Sequence, residues 1–252
     1  MKLRYPIKFY ATLLLAAAVV TAIGWRLWFN HVCESIIKDY PEQNYIAHGG
    51  GAIDGYNATN SLEAIDNAIA HGIKYIELDL QLTADSILVA AHDWDSFAGM
   101  TGFKSPDNRP PTFEEFQKCR MWDRYTPVTY RMIDSIFTVH PDLILVTDKL
   151  DDAEILQKFL PGLTHRTMIE CFSEKAFDKI KNTGSFSPMS SYPNIVPERL
   201  NVTALESTRY RYFRFMPSAY ALFRLGTTTR EEADSVFATD RRVRFYYVDI
   251  IE

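Results

Sequence analysis

Two carboxylates one residue apart, Glu77 and Asp79, sit inside the otherwise apolar run YIELDLQL. In a β-strand, side chains two apart share a face. Glu77, Asp79 and then Gln81 therefore project together, while Ile76, Leu78, Leu80 and Leu82 project the other way. The leucine face asks for a hydrophobic layer against it. The acidic face is costly to desolvate and repels itself, and a divalent cation turns that cost into binding. All-oxygen ligation suits Ca2+ or Mg2+ better than zinc.

Two histidines close apolar runs on either side of this pair, His48 after YIA and His92 after ILVAA. An imidazole titrates near neutrality, so one can take a proton from an attacking hydroxyl while the other protonates a leaving oxygen. From Tyr45 onward, short apolar runs alternate with helical patterns, which predicts parallel α/β architecture and a single (β/α)8 barrel, irregular in its last third. In such barrels, active sites lie at the C-terminal ends of the strands, where both histidines fall. The strands expected in order are YIAH, YIELDLQL, ILVAAH, LILVTDK, TMIECF, FSPMSS, ALFRL and VRFYYVDII. Helices are expected over SLEAIDNAIAHG, FEEFQKC, VTYRMIDSIFTVHP, DAEILQKFL, EKAFDKIKNTG and TTREEADSVFATD. Residues 192–219 fit no element, and their aromatic-basic run RYRYFRF could meet lipid headgroups or phosphates, or lie in a core strand or a solvated helix.

The first thirty residues have a different character. Lys2, Arg4 and Lys8 precede an apolar run from Phe9 to Trp25, long enough at its lower limit to cross a membrane. Trp25 and Trp28 suit an interfacial belt, and Arg26 can snorkel. The expected organisation is an anchor or signal segment over 1–30, a connector over 31–43, and a catalytic barrel over 44–252. Positive charge before the span places that barrel on the non-cytoplasmic side. Secretion after cleavage behind Ala22 is the alternative.

The order His48, then Glu77-x-Asp79, then His92-Asp93 resembles the glycerophosphodiester phosphodiesterase family, which shares a barrel superfamily with the phosphatidylinositol-specific phospholipases C. The likeness is tight over about fifty residues (46–94) and looser beyond, with Lys149 in ILVTDK as its best anchor. It implies a metal-dependent cleavage of glycerophosphodiesters or phospholipid-headgroup diesters. Glu77 and Asp79 would hold the metal, His48, His92 and Lys149 would be catalytic, and Gly49, Asn60 and Asp93 would contact substrate. Relatives carry arginine after the first histidine, where this chain has Gly49, and Gly49, Gly50 and Gly51 could replace it as a backbone nest for an anion. Relatives also carry a metal-binding acid two residues before the lysine, where this chain has Thr147. Asp148 and Glu170 compete for that role, Asp148 alternating away from Lys149 unless the strand has ended. A lyase-like member that releases cyclic phosphate, and a degenerate barrel that only binds a phospho-ligand or partner, are the alternative functions.

A net charge of −5 and a pI near 5.7 argue against a nucleic-acid partner, which would require a basic face. Three cysteines without metal-type spacing make cysteine-bound zinc improbable.

Overall fold

Residues 7–105, 107–192, 199–204 and 218–251 of the chain are described in a computed structural model. The first element, α1, is one continuous helix from Ile7 to Asp39. Where the sequence reading has a connector from residue 31, the helix runs on, because Val32, Cys33 and Ile36 find a buried surface under the barrel.

The chain then runs through β1 (Asn44–Ala47), α2 (Leu62–Ala70), β2 (Tyr75–Glu77), β3 (Leu80–Leu82), β4 (Leu88–Ala90), α3 (Trp94–Thr101), α4 (Phe113–Lys118) and α5 (Tyr130–Val139). Beyond these lie β5 (Ile144–Thr147), α6 (Ala153–Phe159), β6 (Thr167–Cys171), α7 (Glu174–Thr183), β7 (Ser187–Ser190), β8 (Asn201–Ala204), β9 (Tyr220–Phe223), α8 (Arg230–Thr239) and β10 (Val243–Val248). Hydroxyl caps start most of the barrel helices: Ser61, Thr129, Ser173 and Thr229 each accept a backbone N–H three residues on.

Eight described strands close a parallel barrel in the order β1-β10-β9-β8-β7-β6-β5-β2. Two strand assignments change. YIELDLQL is not one strand: β2 ends at Glu77, and Leu80–Leu82 leaves the barrel to pair antiparallel with Leu88–Ala90. The link between those two strands is far shorter than the dozen or more residues a parallel crossover needs, so ILVAAH returns as a hairpin arm. The missing barrel strand is β8, in the stretch the sequence reading could not place. It spans only the four residues NVTA, of which Asn201 and Thr203 are buried and polar, so no apolar run marks it. RYRYFRF lies outside the described residues.

Strand parity divides the core in two. Leu78, Leu145, Ile169, Leu222, Tyr246 and Val248 pack outward against the helices. Ile46, Val146, Met168, Met189, Val202, Ala221 and Phe245 fill the barrel interior, joined from below by Val32 and Ile36 of α1.

Candidate active site

The candidate site is the top layer of that interior. Continuing the inward parity by two residues from Ile46 gives His48, from Val146 gives Asp148, from Met168 gives Glu170, and from Phe245 gives Tyr247 and then Asp249. With Glu77, Asp79, His92 and Lys149, all but Asp249 line one pocket at the C-terminal ends of the strands. Apolar Phe172, Phe223 and Leu225 form part of its wall.

Acids dominate the pocket. Carboxylate oxygens of Glu77, Asp79 and Asp148 lie within 4.8 Å of one another. Burial, then the charges of Asp79 and Asp148, push the Glu77 pKa well above its ordinary value, although Gly49 N–H donates to its Oε2 at 2.6 Å. Burial, then Asp79, pushes Asp148 up to about 7. Its Oδ1 is buried with no hydrogen-bond partner among the described residues. Lys149 is the cation among them: Nζ stands 3.2 Å from Asp148 Oδ2 and 3.6 Å from Asp79 Oδ1. Burial alone would lower the Lys149 pKa, but these carboxylates hold it above its usual value. Both Asp148 and Lys149 reach the pocket because β5 ends at Thr147, which removes the alternation that would have separated them. Thr147 itself is buried off the pocket wall.

Glu170 is occupied differently. Ser191 Oγ donates to one of its oxygens at 2.6 Å and the Tyr247 hydroxyl to the other at 2.8 Å. Burial raises its pKa, and these two donors offset part of the rise. Glu77, Asp79 and Asp148 are thus the grouped acids, with Glu170 beside them but engaged.

Each histidine is held through Nδ1. His48 lies 2.9 Å from Asp249 Oδ1, and Thr228 donates both its N–H and its hydroxyl to the other Asp249 oxygen. Burial would raise the Asp249 pKa, but the bonds from His48 and Thr228 leave it lowered. An ionised Asp249 accepts only, so Nδ1 of His48 carries the proton and Nε2 is left to act as a base. The ring is steadied edge-on by Phe223 and Tyr247. His92 Nδ1 lies 2.6 Å from Asp93 Oδ2, and Gln81 donates to the His92 carbonyl at 2.6 Å. Asp93 also caps α3, and the Ser96 N–H, with His92, lowers its pKa to about 2.

The three residues expected to touch substrate do not line the pocket; each holds a residue that does. Gly49 holds Glu77. Asn60 spends its whole amide on Asp79, donating to Oδ2 at 2.8 Å and accepting the Asp79 N–H at 2.9 Å. Asp93 holds His92. Nor do the three glycines form an anion nest, since Gly49 N–H goes to Glu77 and Gly51 N–H to the His48 carbonyl. Apart from Ser191 and the apolar wall, Asp249 and Tyr247 are the site residues absent from the sequence reading. Strand parity along VRFYYVDII could have found both.

Residues 50–137 match the model of the glycerophosphoryl diester phosphodiesterase family. No curated protein matches the chain in sequence. Among solved structures, a glycerophosphoryl diester phosphodiesterase from Parabacteroides distasonis shares the fold with a TM-score of 0.59 at 17% identity, covering 86% of this chain and 88% of that one. The glycerophosphoryl diester phosphodiesterase domain of a Mycobacterium tuberculosis protein has a TM-score of 0.60 at 15% identity, covering 83% and 97%. A phosphodiesterase from Oleispira antarctica, solved with the product sn-glycerol-3-phosphate, has a TM-score of 0.58 at 16% identity, covering 82% and 93%.

Proposed function

We propose that this chain, a divergent member of the glycerophosphoryl diester phosphodiesterase family, cleaves glycerophosphodiesters or related headgroup diesters in the pocket at the top of its barrel. The observation that carries this reading is a single pocket holding two imidazoles anchored through Nδ1 together with three grouped carboxylates. The Oleispira relative, with sn-glycerol-3-phosphate as its product, supports the substrate class.

The donor set fits a divalent cation, Ca2+ or Mg2+. Glu77, Asp79 and Asp148 offer oxygen only, their charges repel, and the buried Asp148 Oδ1 has no partner among the described residues. When bound, the cation supplies positive charge at the phosphoryl oxygens and lowers the pKa of a coordinated hydroxyl. Glu170 then stays outside the ligand set and keeps Tyr247 and Ser191 in place.

His48 is the base. Its Nε2 takes the proton of the attacking hydroxyl, and the buried Asp249 carboxylate stabilises the imidazolium that forms. By family likeness that hydroxyl is the substrate's own glycerol, whose attack on phosphorus expels the other alcohol and leaves a cyclic phosphate for water to open. His92, with about half of its side chain exposed, protonates the departing oxygen and recharges from solvent. Lys149 sets its ammonium against charge growing on the phosphoryl group.

The test is turnover of a soluble glycerophosphodiester followed by phosphorus NMR, with added cation or chelator. Chelation is expected to abolish turnover, and His48→Ala and His92→Ala each to lower kcat by about 10²–10⁴-fold. Near-normal rates in both variants would remove the two-histidine assignment, and indifference to chelator would remove the metal. A cyclic phosphate that persists as the end product would make the chain a lyase.

A further inference from the structure

The position of α1 constrains which way the pocket faces. Its residues 7–29 run about 34 Å at the helical rise, against about 30 Å for a hydrocarbon core. None of the apolar window is buried, and Leu14, Leu15, Val20 and Leu27 are exposed along its length. Lys8 stands at one end of this stretch; at the other Trp25 and Trp28 pair their rings at 5.0 Å beside Arg26. Amphipathic side chains of this kind settle at headgroup level.

The helix does not break there. One turn beyond Trp28, Val32 enters the interior cluster, followed by Ile36. Tyr40 packs edge-on against Phe245 with ring centroids 5.5 Å apart, and Arg244 Nε donates to the Tyr40 carbonyl at 2.7 Å. Arg244 also donates to the Pro41 carbonyl, and Arg241 pairs with Glu34. Arg241, Arg244 and Phe245 belong to the N-terminal half of β10 or the loop before it, at the floor of the barrel. The site residues His48, Glu77, Asp148, Glu170 and Asp249 sit at the opposite, C-terminal ends of their strands. Helix, floor and interior core are thus one packed body with no linker in which the barrel could turn over.

We propose that the floor of the barrel is the surface held against the bilayer, so that the pocket opens away from the membrane and takes diesters from the aqueous phase, not from the lipids of its own leaflet. This rests on the phosphodiesterase reading above and on α1 crossing the bilayer. Phe172 and Leu225, exposed at the mouth by 59% and 64%, are the side chains that would dip into lipid in the opposite orientation.

The test uses the full chain in liposomes whose lipid headgroups carry an energy-transfer acceptor. A donor fluorophore is placed at Asp142→Cys, exposed in the loop leading into the floor end of β5, or at Leu225→Cys at the mouth. Both are made in a Cys119→Ser background, since Cys33 and Cys171 are buried. Strong transfer from position 142 and its loss at position 225 are expected; equal or reversed transfer overturns the proposal. In unlabelled liposomes, an added soluble glycerophosphodiester should be turned over and the bilayer phospholipid left intact. Cleavage of that phospholipid at a comparable rate overturns it too. If neither is cleaved, the phosphodiesterase reading fails while the energy-transfer ranking still decides the orientation.

Discussion

Gly49 stands where relatives place a phosphate-binding arginine, and its backbone leaves no room for one. Its φ is +54°, and an added Cβ would lie 2.4 Å from the Ala58 Cα. A left-handed φ costs a non-glycine residue about 1–2 kcal/mol before any clash. Gly49→Arg should therefore destabilise the fold by more than that, read from urea unfolding, without raising turnover. An active, stable Gly49→Arg enzyme would show that the loop can open to admit the side chain. Asp249 makes a second prediction at this scale. Asp249→Asn keeps the shape but removes the charge that fixes the His48 proton on Nδ1 and steadies the imidazolium. The expected outcome is a drop in kcat of about 10²-fold or more, with unchanged KM and circular dichroism. An unchanged urea midpoint beside the lowered kcat distinguishes this from loss of packing.

Among the elements, α1 joins an exposed apolar stretch to a buried end without a break. All of residues 7–30 are exposed apart from half-buried Phe29, so chain 31–252, which loses the apolar stretch and little packing, should be soluble and fold. Removing residues 1–40 also strips Val32, Cys33 and Ile36 from the barrel floor. Full burial of a Val or Ile side chain is worth about 1.5–3 kcal/mol, so the longer truncation should cost several kcal/mol. The two chains compared by urea midpoint check this. Equal midpoints would mean that the helix end rests on the floor without stabilising it. The hairpin of β3 and β4 is the other decisive element. It carries the chain back over the barrel so that the Ala91 N–H meets the Asp79 carbonyl at 2.7 Å, which sets His92 beside the acids.

For the molecule as a whole, the crowded acids link stability to pH and to metal. In metal-free protein the Glu77 and Asp148 pKa values are raised, Asp148 to about 7. An unfolded carboxylate titrates near 4. Between about pH 4 and 7 the folded chain then binds more protons than the unfolded one, so this contribution to stability is fully present below about pH 4 and is lost as pH rises to about 7. A divalent cation requires the ionised forms, so its stabilising effect should grow across the same window. Thermal melting of chelated protein should fall from about pH 5 to 7, with Ca2+ or Mg2+ restoring most at the upper end. A chelated melting temperature that climbs through this range would contradict the electrostatic picture.

Much of the site is legible in the chain because strand parity is local. Two-residue spacing brings Glu77 and Asp79 into one pocket even though β2 ends at Glu77, and an apolar residue two places before His48, Asp148 and Glu170 marks each as inward. The apolar start of α1 and the hydroxyl caps of the barrel helices are likewise carried by composition and nearest neighbours. What parity cannot supply is the identity of partners. His48 and Asp249 are 201 residues apart and meet only because β10 closes the barrel against β1. That Asp148 joins the grouped acids while Glu170 is engaged by Ser191 and Tyr247 depends on where β5 stops and on Tyr247 arriving from the far end of the chain. Gly49, Asn60 and Asp93 moved behind the residues they were expected to stand beside, because a buried carboxylate or imidazole must have its hydrogen bonds completed by whatever polar group closure brings within reach. Local periodicity determined which side chains face inward; only barrel closure decided which of them touch.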